Sequence, residues 1–162
     1  MAKVEIKQPV VDEIKELIDG AQSMVLVDYR GLTVAQDTAI RKNLREAGVT
    51  YKVYKNTLIK RAVEGTEFES VSGDLEGPTA IAVSKTDATA PARILAKAAK
   101  DAEALEIKSG VVEGTYYDNK AIMTIANIPS REELLSKLLG SMQSPITNFA
   151  RVIKQIAEQK EA

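Results

Sequence analysis

"MVLVDYRGLTVAQDTAIRKNLREAG", residues 24–48, decides the fold. From Met24 to Tyr29 apolar side chains fill almost every position, which suits a short strand covered on both faces. Arg30 and Gly31 then make a turn, and Thr33 stands where a helix N-cap belongs. The segment that follows places Val34, Ala39 or Ile40, and Leu44 at helical spacing and stops at Gly48. A covered strand, a tight turn and an amphipathic helix in succession form a unit of a layered α/β domain.

Outward from this unit the alternation continues. "VTYKVYK", residues 49–55, sets Val49, Tyr51 and Val53 against Thr50, Lys52 and Tyr54, the period of a strand with one wetter face. Asn56 is placed to cap a helix over "TLIKRAV". Upstream, Val10, Ile14, Leu17 and Ile18 recur at helical spacing until Gly20. Downstream, the acidic loop 64–76 reads as solvated surface, and "GPTAIAVS" as a turn into a buried strand. Pro91 begins a helix over "TAPARILAKAAKDAEA" from its first turn. "LEIKSGVVEGTYY" is a strand or hairpin broken at Gly110 and Gly114, and Asp118 caps a short helix over "DNKAIMTIAN". This order predicts one layered α/β domain over 1–127, with a mixed sheet flanked by helices.

The tail reads differently. Ser130 and Glu133 have the spacing of a capping box, and Leu134, Leu135, Leu138, Leu139 and Met142 follow, so 128–143 is a connecting helix and hinge. Ser144 as N-cap and Pro145 at the first helical position restart a helix over 144–162. Its Ile146, Phe149, Ala150, Ile153, Ile156 and Ala157 fall on one stripe. That stripe needs cover, either from the chain's own core, from a partner's groove or from a coiled coil.

Composition narrows the function. The chain has 162 residues, no Cys, no His and a formal net charge of −1. Disulfides, thiol nucleophiles, the usual zinc ligand sets and imidazole acid–base chemistry are therefore absent. No apolar run approaches the ~20 residues that span a bilayer, and "MAKVEIKQPV" lacks a signal-peptide core. A cytoplasmic, non-catalytic protein without cofactor or metal is expected. "YRGLT" has one Gly and no further phosphate-loop pattern, so a nucleotide turn is set aside. Asp28 and Arg30 read as a strand-end salt bridge.

Charge is nonetheless concentrated. Between residues 30 and 61 stand Arg30, Arg41, Lys42, Arg45, Lys52, Lys55, Lys60 and Arg61 against only Asp37 and Glu46, whereas 64–76 holds five acids and no base. Such asymmetry is what a docking face needs. The helix start Asn56–Leu58 presents unpaired N–H groups suited to a phosphate, Lys52, Lys55, Lys60 and Arg61 surround it, and Tyr51 and Tyr54 offer planes for stacking. The plainer reading is that Lys52 and Lys55 solvate the strand while the tyrosines pack inside.

"VDYRGLT", "RKNLREAGV", "YKVYKNTLIKRAVEGT", "GPTAIA" and "PSREELLSKLLGSMQSPI", in this order, resemble the bacterial stalk-base protein family of the large ribosomal subunit, its tenth protein. The resemblance runs from about Val10 to the C-terminus, with the segment after Pro145 shorter than in longer members. It implies an α/β domain docked on large-subunit rRNA, beside the neighbouring stalk-base ribosomal protein that shares that RNA site. It further implies that the α/β domain is followed by a projecting C-terminal helix that binds dimers of the acidic ribosomal stalk protein, about two of them along 146–159. Through those dimers translational GTPases are reached indirectly, and some members repress their own messenger. Carried onto this sequence, "RG" and "KNT" make Arg30, Gly31, Lys55, Asn56 and Thr57 RNA contacts. Local charge adds Lys52, Lys60 and Arg61. The competing reading is a small-molecule-binding α/β domain that self-dimerises through its tail.

Overall fold

In the computed structural model, which describes residues 8–102 and 104–160 (the side chains of Ile146 and of residues 157–160 excepted), strand β1 (Ser23–Asp28) is the middle strand of five. Its Met24, Val25, Leu26 and Val27 are fully buried, as a strand covered on both faces must be. The sheet order is β2 (Val49–Val53), β3 (Ala80–Ser84), β1, β4 (Glu106–Val112), β5 (Thr115–Asp118).

The layered α/β class is as expected, but every ladder is antiparallel, not a mixture of parallel and antiparallel neighbours. The cause is one insertion. Strands β1 and β2 both pair antiparallel with β3, so they run the same way, joined by α2 (Val34–Glu46) as in a βαβ unit. β3 then enters between them and removes the parallel contact.

Strand parity sorts the core into two layers. Val25, Val27, Ala80, Ala82 and Ile107 face α2, α4 (Ala90–Asp101) and α5 (Asn119–Ile125). Met24, Leu26, Ile81, Val83 and Val111 face α1 (Gln8–Ile18), α3 (Asn56–Val63) and a 3₁₀ turn at Glu69–Asp74. The acidic loop is therefore not only solvated surface: Phe68, Val71 and Leu75 point inward and close this second layer. Each fully buried aliphatic side chain contributes about 1.5–3 kcal/mol.

Helix α2 begins as its sequence dictates. Thr33 caps it in a reciprocal box, Gln36 N–H donating to Thr33 Oγ1 (3.3 Å) and Thr33 N–H to Gln36 Oε1 (3.0 Å). Ile40 and Leu44 carry its buried face, while Val34, expected inside, is 85% exposed because it sits in the first turn beyond the sheet.

Tyr51 projects from β2 onto the α2 layer, and the Arg41 guanidinium lies 5.6 Å above its ring. Burial, with the Asp37 carboxylate next in weight, pushes its phenol up to about 12. The unfolded chain ionises Tyr near 10, so the folded state keeps a proton that the unfolded state releases; stability is complete below about pH 10 and falls as pH rises towards 12. Thermal melts across that window should fall for the wild type and fall less for Tyr51→Phe. At neutral pH that substitution is near-neutral, since the hydroxyl has no hydrogen-bond partner.

The chain divides into two units between Ile128 and Pro129. The second contains α6 (Arg131–Lys160), opened by Ser130, whose Oγ accepts from Glu133 N–H. The expected restart at Ser144 is not found: α6 runs through Pro145 without a break. Proline removes one intrahelical donor and costs about 3 kcal/mol in a helix interior. Two side-chain bonds span the turn around it, Thr147 Oγ1 donating to the Gln143 carbonyl and Asn148 Nδ2 to Ser144 Oγ.

Candidate nucleic-acid interface

Register fixes which segments meet. Val53, Ala80 and Val27 are cross-strand partners, and Asp28 pairs with Glu106. The Arg30–Gly31 turn, the Lys55–Thr57 helix start, the Pro78–Thr79 turn and the Ala104–Leu105 approach to β4 therefore share one end of the sheet. Gly31 has φ +88°, and a Cβ there would lie 3.2 Å from the Ala104 Cβ, so the turn needs glycine for both conformation and space.

The residues expected at this end divide by what holds them. Arg30, Lys55 and Arg61 are exposed, Lys60 is half-buried, and none has an acidic partner among the described residues. On α3, Ile59, Ala62 and Val63 take the buried face, which leaves Thr57 and Arg61, one turn apart, on the outer one. Lys55, not Asn56, is the N-cap, and no side chain caps the helix. Leu58 and Ile59 N–H groups already bond to the Lys55 carbonyl, so Asn56 and Thr57 N–H remain for a ligand.

Asn56 departs from expectation. Its amide does not cap the helix but donates to the carbonyls of Gly77 (2.7 Å) and Leu75 (3.2 Å). Lys52 is likewise committed: its ammonium and the Tyr54 hydroxyl both bond to Glu13 Oε1 on α1. The Lys52 and Tyr54 hydrogen bonds hold the Glu13 carboxyl below its usual range, and the Glu13 bond raises Lys52. Asp28 does not pair with the Arg30 side chain; it accepts from the Arg30 backbone N–H (2.9 Å) and faces Lys108 at 3.9 Å. Glu76, Glu106 and Asp118 are also exposed at this end, as is Lys120, so charge of both signs faces solvent beside residues 30–31 and 55–61.

Sequence reasoning missed Lys108. A lone lysine in "EIKSGVV", between positions that otherwise bury, signals a partnered charge. Its partners, Glu76, Pro78 and Thr79, lie about thirty residues away and give no local signal.

On α6 the described apolar side chains are exposed: Leu134, Leu135, Leu138, Leu139, Met142, Phe149, Val152, Ile153 and Ile156. At 100° per residue these positions share one face, in phase across Pro145. Ala150 is exposed as well, whereas the side chains of Ile146 and Ala157 lie outside the described residues.

No helix among the described residues is long and apolar enough to cross a membrane, and no group of metal-binding side chains gathers among them. Comparison with known proteins is specific. The family model "Ribosomal protein L10" matches residues 2–100, and "Ribosomal protein uL10 C-terminal region" matches 128–162. The large ribosomal subunit protein uL10 of Staphylococcus aureus, in strains JH9, Newman and N315, is 51% identical over 160 residues, which cover 99% of this chain and 96% of each relative. Both parts of the chain match models of one family, and its relatives are half identical over nearly the whole length: the chain belongs to the ribosomal protein L10 (uL10) family.

Proposed function

We propose that this structural, non-enzymatic protein of the large ribosomal subunit forms the base of the ribosomal stalk in the cytoplasmic ribosome. Its first unit grips large-subunit rRNA through Arg30 and Gly31, the Lys55–Thr57 helix start, Lys60 and Arg61, beside the neighbouring stalk-base ribosomal protein. Lys52 contributes less, because Glu13 already holds its charge, and Asn56 contributes its backbone N–H. The observation that carries this reading is the meeting of two turns whose cations have no acidic partners among the described residues, next to a helix start whose first N–H groups have none among them either. The Ile146–Ala157 stretch of α6 takes dimers of the acidic stalk protein in their grooves, and those dimers bring translational GTPases to the ribosome. The same cationic end serves when the chain binds its own messenger.

Binding to a stalk-base rRNA fragment tests the first half. Lys55→Ala and Arg61→Ala should each weaken binding about threefold to tenfold and reduce the slope of log K against log salt by about 0.7–0.9. Lys52→Ala should cost less than either. Equal affinities and slopes across the three variants and the wild type would remove the RNA assignment from this end of the sheet.

A further inference from the structure

Lys108 is the extra residue of a β-bulge. Leu26 pairs with Ser109 and Val27 with Ile107, so Lys108 has no partner on β1 and its side chain is re-aimed. That side chain is only 17% exposed. Its ammonium donates to the Pro78 carbonyl (2.8 Å), to Thr79 Oγ1 (3.0 Å) and to the Glu76 carbonyl, which matches three donors with three acceptors. Asp28 Oδ2, 3.9 Å away, supplies the countercharge a desolvated ammonium requires.

These bonds interlock with those of Asn56. Asn56 holds the carbonyls of Leu75 and Gly77, and Lys108 those of Glu76 and Pro78. Four successive carbonyls are thus gripped alternately from α3 and from β4. Asp28, which faces Lys108, also accepts the Arg30 N–H that shapes the first turn. One polar chain therefore runs from the Arg30–Gly31 turn through Lys108 and the 75–79 loop to the start of α3.

We infer that Lys108 is a positioning residue for RNA: it touches no phosphate, but fixes the two cationic turns at one spacing so that both meet the same backbone. This role rests on the RNA-binding reading. It also explains why a lysine and an asparagine are spent on backbone carbonyls at the end of the sheet where ligand contacts are needed.

Full-length Lys108→Met, Lys108→Arg and Lys55→Ala in both backgrounds, titrated with the stalk-base rRNA fragment at several salt concentrations, test it. Lys108→Met should bind about tenfold more weakly with a salt slope reduced by less than one contact, because Lys108 itself touches no phosphate and the Lys55 contact is loosened rather than deleted. Lys108→Arg should not restore binding, since a planar guanidinium cannot aim three N–H groups at acceptors grouped around one nitrogen. Lys55→Ala should cost less in the Lys108→Met background than alone, because its contact is already misplaced. If Lys108→Met fails to fold, Thr79→Val removes one acceptor and should produce the same pattern, about twofold to threefold in size.

Wild-type affinity in the folded Lys108→Met protein overturns this inference and leaves the RNA reading standing. A slope reduced by one contact and restored by Lys108→Arg overturns it in favour of direct phosphate binding. Strict additivity with Lys55→Ala reduces Lys108 to a stability residue. A wild type that does not bind the fragment removes the RNA reading, and this role with it.

Discussion

Gly110→Ala should lower the unfolding free energy of the N-terminal unit by about 3 kcal/mol, a drop of roughly 10 °C in its thermal midpoint. Gly110 sits mid-strand on β4, opposite Val25 on one side and Tyr117 on the other. A Cβ there would lie 2.8 Å from the Met24 carbonyl oxygen, 3.1 Å from Ile122 Cδ1 and 3.2 Å from Val25 Cα. Two of those atoms are backbone of the central strand, so the methyl can be housed only by moving β1 or displacing α5. A glycine in a strand interior is ordinarily a weakness, and its value here is close approach. Gly73→Ala is the matched control: nothing lies within 4 Å of its Cβ, and it should change stability by less than about 0.5 kcal/mol. Urea unfolding of both variants decides it; equal midpoints would mean that the β4–β1–α5 packing is looser than described.

Gly110 also marks what local pattern can and cannot convey. In the sequence it reads as a break in a strand or hairpin, whereas β4 passes through it and the break lies at Gly114. β1 was legible because its covering is written at every position from Met24 to Val27. α2 was legible because Thr33, Ile40 and Leu44 are all local, although the Gln36 half of its capping box was found only in the structure. The insertion of β3 between β1 and β2 was not legible, since pairing over thirty residues leaves no period in either strand. The site divides in the same way. Arg30, Lys55 and Arg61 are exposed and, among the described residues, without acidic partners, in a stretch where counting along the chain finds few acids. That Lys52 belongs to Glu13 and Asn56 to the 75–79 loop depends on partners 39 and about twenty residues away. Pro145 misled for another reason: proline favours a first helical turn but does not forbid an interior position, and here the stripe stays in phase through it.

If α6 takes acidic stalk dimers as proposed, Phe149→Asp should weaken their capture about a hundredfold or more while leaving affinity for the stalk-base rRNA fragment unchanged. Phe149 is 69% exposed, and Ile153 and Ile156, four and seven residues on, are each about half exposed. Their spacing puts them on the same face, where one apolar groove of a partner would cover all three at once. Losing the ring forfeits about 2–3 kcal/mol of burial, and a carboxylate in its place must be desolvated against a partner that is itself acidic. Together these exceed the 2.8 kcal/mol or so that a hundredfold represents. Phe149→Ala separates lost contact from lost helix: alanine favours helix more than phenylalanine, so a tenfold or larger loss in that variant, with undiminished helical circular dichroism, belongs to the contact. Native mass spectrometry with both partners reads the two interfaces and the number of dimers together. A chain that instead dimerises with itself, and becomes monomeric on Phe149→Asp without ever taking up the acidic dimers, would assign the stripe to self-association. Undiminished capture by Phe149→Asp would move the stalk interface off this part of α6 altogether.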